Sequence, residues 1–139
     1  LPAPSGLVGH GLGILGGVLM LVAQTAYTWR KRPERTGPGP TRRWLQVHVV
    51  AGLVGPYLIL LHTAFRFRGL AAVLTLLMLV VVASGATGRY VYRAAPSVEA
   101  PGGRPLALWY LLHVPVTAAL FALALLHVFG ALYYARLVE

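Results

Sequence analysis

The feature that most constrains this chain is a series of four long apolar stretches separated by short polar segments. A helix needs about 20 apolar residues to cross the hydrocarbon core of a bilayer. Because lipid cannot hydrogen-bond the backbone, only helices or closed barrels are stable there. A barrel needs strands of about ten residues with alternating polarity, whereas the apolar runs here are continuous. The sequence therefore predicts an all-α integral membrane protein with spans at about residues 7–29, 44–67, 70–92 and 106–134.

Composition narrows the class further. Charged residues make up 11% of the chain, against about a quarter in soluble domains. Because the spans occupy most of the 139 residues, we expect a single domain, residues 1–139, folded as a four-helix bundle. The net charge of +9 does not indicate a nucleic-acid partner, because eleven of the twelve cations lie in loops or at span ends. With no cysteine, the chain cannot bind covalent c-type haem or a thiolate-ligated iron–sulfur cluster.

The basic residues are distributed unequally between the two sides of the predicted membrane protein. Six lie between Arg30 and Arg43, and Arg89, Arg93 and Arg104 flank the third loop. The opposite side has three basic residues, namely Arg66, Arg68 and Arg136. The positive-inside rule assigns the more basic loops to the cytoplasm. We therefore predict that loops 30–43 and 93–104 are cytoplasmic and that both termini lie outside. The expected location is a bacterial inner membrane.

Four histidines lie in the second and fourth spans with identical spacing. His62 follows His48 by fourteen residues, and His127 follows His113 by the same fourteen. Fourteen helical residues end within about 40° of four full turns and rise about 21 Å, so each pair shares one helix face with one histidine in each leaflet. Spans two and four run in the same direction. We therefore expect His48 to lie opposite His113, and His62 opposite His127.

The residue types available decide what such pairs bind. A di-iron centre needs carboxylates, and the acidic residues all lie outside the spans: Glu34, Glu99 and Glu139. A structural zinc site needs two further ligands at each level. A haem needs only two axial imidazoles. The alternative is that the histidines hydrogen-bond neighbouring helices or line a proton path, which leaves the two equal spacings as a coincidence. The sequence therefore predicts two non-covalent b-type haems between helices 2 and 4.

These motifs resemble those of dihaem membrane cytochromes b, above all the four-helix, haem-bearing core of cytochrome b in bc-type quinol-oxidising complexes. The motifs His48-x13-His62 and His113-x13-His127 lie on the second and fourth helices, as in that core. The resemblance implies axial ligation by His48, His113, His62 and His127. It also implies a subunit of a larger respiratory or photosynthetic redox complex, which exchanges electrons with a quinone or with a partner redox subunit.

Further residues are candidates for contacts with the haems. Gly52 and Gly55 lie between His48 and His62 and are small enough for a porphyrin edge to approach the helix. Four arginines lie where haem propionates would emerge, and guanidinium groups bind carboxylates bidentately; they are Arg42 and Arg43 on the inner side and Arg66 and Arg68 on the outer side. Topology signalling and lipid headgroups explain the same arginines equally well.

The predicted function is transmembrane electron transfer. Two axial histidines fill both open positions of the iron, which disfavours oxygen activation, and the chain has no recognisable flavin, nicotinamide or iron–sulfur motif. We therefore expect an electron-transfer subunit and not an enzyme by itself. One alternative is a ferric-reductase or NADPH-oxidase-like haem core served by a separate flavoprotein. A second is a subunit of the formate-dehydrogenase or hydrogenase type, with His10 as a ligand, and a third is a haem-free structural or proton-relay subunit.

Overall fold

The computed structural model describes residues 6–30, 41–94 and 104–137. These residues form four α-helices: α1 (Leu7–Arg30), α2 (Thr41–Thr63), α3 (Gly69–Ala94) and α4 (Arg104–Leu137). Each helix contains a segment that is long and apolar enough to cross a membrane; the segments are Leu7–Thr25, Arg43–Thr63, Gly69–Tyr90 and Trp109–Tyr134. The prediction of four apolar spans in an all-helical chain is therefore confirmed for the described residues. Such helices indicate an integral membrane protein.

The end of α2 differs from the predicted end of the second span. The span was expected to continue to residue 67, but the helix ends at Thr63. Ala64 and Phe65 adopt φ angles of +48° and +58°, the left-handed conformation that ends many helices. The Thr63 hydroxyl accepts a hydrogen bond from the Phe65 amide at 3.3 Å, and the Thr63 carbonyl accepts one from the Arg66 amide at 2.9 Å. These bonds satisfy groups at the helix end, and the apolar pattern alone does not encode them.

The chain divides into two compact units, Leu1–Arg66 and Phe67–Glu139. In the first unit, α1 packs on α2 through small residues, among which Gly16 and Gly55 lie in close contact. A Cβ atom added at either glycine would lie 2.9 Å from the carbonyl oxygen of the other. Only residues without a side chain allow two helix backbones to come this near. The small residues of α1 and α2 therefore set the contact between the two helices.

In the second unit, α3 packs on α4 through four buried side chains: Thr75, Met78, Thr117 and Leu120. The two threonine hydroxyls are satisfied within their own helices. Thr75 donates to the Ala71 carbonyl at 2.8 Å, and Thr117 donates to the His113 carbonyl at 2.6 Å. This contact therefore needs no charged group. That the two helix pairs form one four-helix domain stays a prediction.

Candidate functional site

His48 on α2 is hydrogen-bonded to α1. Its Nδ1 lies 2.9 Å from the carbonyl oxygen of Ala23, and the ring is part-buried. A carbonyl oxygen can only accept, so Nδ1 carries the hydrogen in this contact. In the neutral ring that tautomer has its lone pair on Nε2. This is the form in which a histidine whose Nδ1 is anchored can bind a metal through the other nitrogen.

His62 makes the same type of contact at the other level of α2. Its Nδ1 lies 2.8 Å from the carbonyl oxygen of Gly9. Gly13, four residues further along α1, leaves room for the ring, because a Cβ atom there would lie 3.0 to 3.1 Å from three atoms of the imidazole. The two acceptors, Gly9 and Ala23, are themselves fourteen residues apart. The histidine spacing on α2 is therefore matched by the spacing of its acceptors on α1.

His113 on α4 is held by two side chains, one from α3 and one from its own helix. The Ser84 hydroxyl donates to the Val81 carbonyl at 2.8 Å. Since a hydroxyl has one hydrogen, the 2.7 Å contact between Ser84 Oγ and His113 Nδ1 is one in which Nδ1 donates. Trp109 stacks on the imidazole, with ring centroids 5.1 Å apart and planes inclined by 18°. Its indole Nε1 donates to the Ser84 carbonyl at 2.7 Å.

The two remaining histidines have simpler surroundings. His127 is half-buried on α4, and the structure shows no hydrogen bond between its ring and another described residue. The His10 ring is exposed, and its Nδ1 lies 3.1 Å from the Gly6 carbonyl one turn earlier in the chain. The contact of His10 is therefore local, unlike the contacts that His48 and His62 make with a neighbouring helix. A ligand role for His10 stays an alternative.

The predicted glycines have different surroundings. An added Cβ atom at Gly52 would meet nothing within 4 Å, whereas one at Gly55 would lie 2.8 Å from Met20 and 2.9 Å from the Gly16 carbonyl. In the first unit, Gly52 therefore leaves an open surface, and packing on α1 accounts for the small size of Gly55. That either glycine makes room for a porphyrin stays a prediction.

The predicted arginines lie near the ends of the apolar segments. Arg43 is exposed at the start of the second segment, and Arg66 and Arg68 are exposed in the turn that follows α2. Arg42 belongs to the first turn of α2, but its side chain lies outside the described residues. The three described arginines are therefore available to an anionic group at either end of α2.

Sequence reasoning missed the groups that orient the rings. The carbonyls of Gly9 and Ala23 belong to the backbone, so a pattern of side chains cannot identify them. Ser84 is a common type of residue in membrane helices, so its role could not be identified either. Trp109 is a further residue that contacts a candidate ligand without being a candidate itself. It precedes His113 by one helical turn, a spacing that brings two side chains together. This spacing was the one signal that pointed to the stacked pair.

Comparisons with protein-family models, with curated proteins and with solved structures find no match to this chain. Within residues 6–30, 41–94 and 104–137, three or more His, Cys, Asp or Glu side chains do not cluster anywhere. The candidate ligands among the described residues therefore stay the histidines of α2 and α4. Three of these, His48, His62 and His113, are anchored through Nδ1.

Proposed function

We propose that this chain is an electron-transfer subunit that binds two b-type haems non-covalently within a membrane. His48 and His113 would ligate one haem, and His62 and His127 the other. The observation that carries the proposal is the shared anchoring of three of these rings, each with Nδ1 hydrogen-bonded to an acceptor on a neighbouring helix. Histidines that ligate metals almost always donate their other ring N–H in this way.

A histidine that only ties two helices together would make the same kind of bond. Ligation is favoured because the same nitrogen is engaged at each of the three positions, and because two of these positions repeat the fourteen-residue spacing. Helix-tying histidines have no reason to share a nitrogen or a period. Ligands of two haems would need both, because each ring would have to present Nε2 to an iron at its own level.

The protein and the cofactor would have separate roles. Haem supplies the one-electron iron couple, and the protein supplies binding, orientation and electrostatics. In this chain, α1 orients His48 and His62, and α3 orients His113. The open surface at Gly52 leaves space beside α2. Exposed Arg43, Arg66 and Arg68 would pair with propionates, since guanidinium groups bind carboxylates well.

The proposal includes a cellular setting. With two histidines as ligands, a bound haem would offer no open position to oxygen, and the chain would pass electrons to a quinone or a partner redox subunit. It would do so within a respiratory or photosynthetic complex of the bacterial inner membrane. The basic loops 30–43 and 93–104 would face the cytoplasm.

Electron transfer across sealed proteoliposomes tests this function. Vesicles that contain the protein and trapped ferricyanide would be mixed with an impermeant reductant outside, and ferricyanide loss would be followed by absorbance. We expect wild-type vesicles to reduce the trapped acceptor, and His113→Ala vesicles to do so at the rate of empty liposomes. Equal rates for wild-type and empty vesicles would contradict the proposal and favour a haem-free structural subunit.

A further inference from the structure

We infer that Ser84 and Trp109 form a positioning pair that orients His113 and sets the reduction potential of the haem that His113 would ligate. This inference rests on the proposed function and adds to it a means of tuning one of the two haems. Three contacts carry it: the Ser84 hydroxyl on His113 Nδ1, the stacked Trp109 ring, and the bond from Trp109 back to Ser84.

The Ser84 hydroxyl fixes which ring nitrogen carries the hydrogen. Its own hydrogen is committed to the Val81 carbonyl at 2.8 Å, so toward His113 it can only accept. The His113 Nδ1–H therefore donates to Ser84 at 2.7 Å. An acceptor at this position raises the basicity of an imidazole as a metal ligand. A more basic ligand favours the ferric over the ferrous iron and lowers the reduction potential.

Trp109 fixes the plane of the same ring. The two rings are nearly parallel, at 18°, with centroids 5.1 Å apart. The indole is itself held against α3. Its Nε1 donates to the Ser84 carbonyl at 2.7 Å, and Gly88 has no side chain in the space that the indole occupies. A Cβ atom at Gly88 would overlap the indole. One short segment of α3 therefore positions both the hydrogen bond and the stacked ring.

His113 differs in this respect from the histidines of α2. The acceptors of His48 and His62 are backbone carbonyls of Ala23 and Gly9, which remain whatever side chain those positions carry. The acceptor of His113 is a side-chain oxygen, so a single substitution can remove it. Of these three anchored histidines, His113 is therefore the one whose acceptor a substitution can remove without changing the helix backbone.

The test uses the full chain in lipid nanodiscs and three variants. Ser84→Ala removes the acceptor but keeps the carbonyl that binds Trp109. Ser84→Thr retains the hydroxyl. Thr87→Ala, on the same helix, removes a hydroxyl whose bond among the described residues is to the Ala83 carbonyl, at 2.9 Å. Redox titrations would give the potentials of both haems. The ring N–H signals of ¹⁵N-labelled histidine in the reduced protein would report the hydrogen bond itself.

We expect Ser84→Ala to raise the potential of one haem only, and to weaken haem binding at that level by about tenfold, the lower end of what loss of such a partner costs a metal ligand. Its His113 Nδ1–H signal should exchange faster with solvent. Ser84→Thr and Thr87→Ala should both match the wild type. These results together would support the inference.

Three results would overturn the inference. If haem-bearing Ser84→Ala has unchanged potentials, the inference is wrong and the proposed function is intact. The inference is also wrong if the His113 Nδ1–H signal of the wild-type protein exchanges as fast as that of an exposed imidazole. Wild-type protein that binds no haem would contradict the proposed function and the inference together.

Discussion

An imidazole has two nitrogens, and three of the five described histidines use the same one for a bond to a neighbouring helix. At His48, His62 and His113 the Nδ1–H donates to an oxygen on a neighbouring helix. A neutral hydrogen bond of this kind contributes about 0.5 to 1.5 kcal/mol to stability. Its larger effect is on orientation, because a ring fixed at Cβ and at Nδ1 keeps Nε2 in one direction. A precise direction is what an axial ligand requires.

Single histidine substitutions test the predicted ligand pairs. We expect His48→Ala and His113→Ala to remove the same haem, because each would strip one axial ligand from one site. His62→Ala and His127→Ala should remove the other haem and leave the first in place. Haem content and the potential of the remaining haem, measured in each purified variant, would show which site is lost.

His10→Ala is the matched control for these variants. Its ring is exposed and contacts the carbonyl of Gly6 in its own segment, so we expect this variant to retain both haems with unchanged potentials. Loss of a haem in His10→Ala, together with retention in His127→Ala, would replace the predicted pairing by one that uses the first helix.

In the helix pair α1–α2, the glycines of one helix face determine how closely α2 and its His62 pack on α1. Gly9, Gly13 and Gly16 lie on the face of α1 that receives α2, where they contact His62 and the backbone at Gly55. Gly17 lies next to Gly16 in sequence, but an added Cβ atom there would meet nothing within 4 Å. The two kinds of glycine therefore predict opposite responses to substitution.

Gly13→Ala should disturb His62, whereas Gly17→Ala should not. A Cβ atom at Gly13 would lie 3.0 Å from the His62 ring, and over-packing of this kind typically costs about 1 to 3 kcal/mol. At Gly17 the exchange should be neutral or should stabilise the helix by up to about 1 kcal/mol, since alanine is the better helix former. Thermal unfolding in detergent, followed by circular dichroism and by haem retention, would compare them. Equal unfolding temperatures would contradict the packing described here.

The elements were predictable from sequence to different degrees. The four helices follow from continuous apolar runs, and three of them match the predicted ends to within a few residues. The end of α2 was not predictable, because the left-handed residues that terminate it are Ala64 and Phe65 and not the glycine or asparagine that normally signals such a turn. The candidate histidines were predictable from their period. Their acceptors were not, because two are backbone carbonyls and the third is a single serine.

For the molecule as a whole, the distribution of charge makes a prediction about topology. The basic loops 30–43 and 93–104 should face the cytoplasm, and both termini should lie outside. The chain contains no cysteine, so labelling of a single introduced cysteine shows on which side of the membrane that position lies. Ser5→Cys should react with an impermeant maleimide added to intact cells whose outer membrane has been made permeable. Gly37→Cys and Ser97→Cys should react only after the inner membrane is opened. The reverse pattern would invert the predicted orientation.

The central claim is that the chain binds two b-type haems, and the haem content of the purified chain tests it most directly. A reduced-minus-oxidised spectrum would be recorded, haem would be extracted with acid acetone and quantified, and the protein would be determined independently. We predict the bands of low-spin haem b and two haems per chain, all extractable, because without cysteine nothing can attach them covalently. Well-folded, helical protein that contains no haem, and that takes up none when haem is added, would contradict the claim.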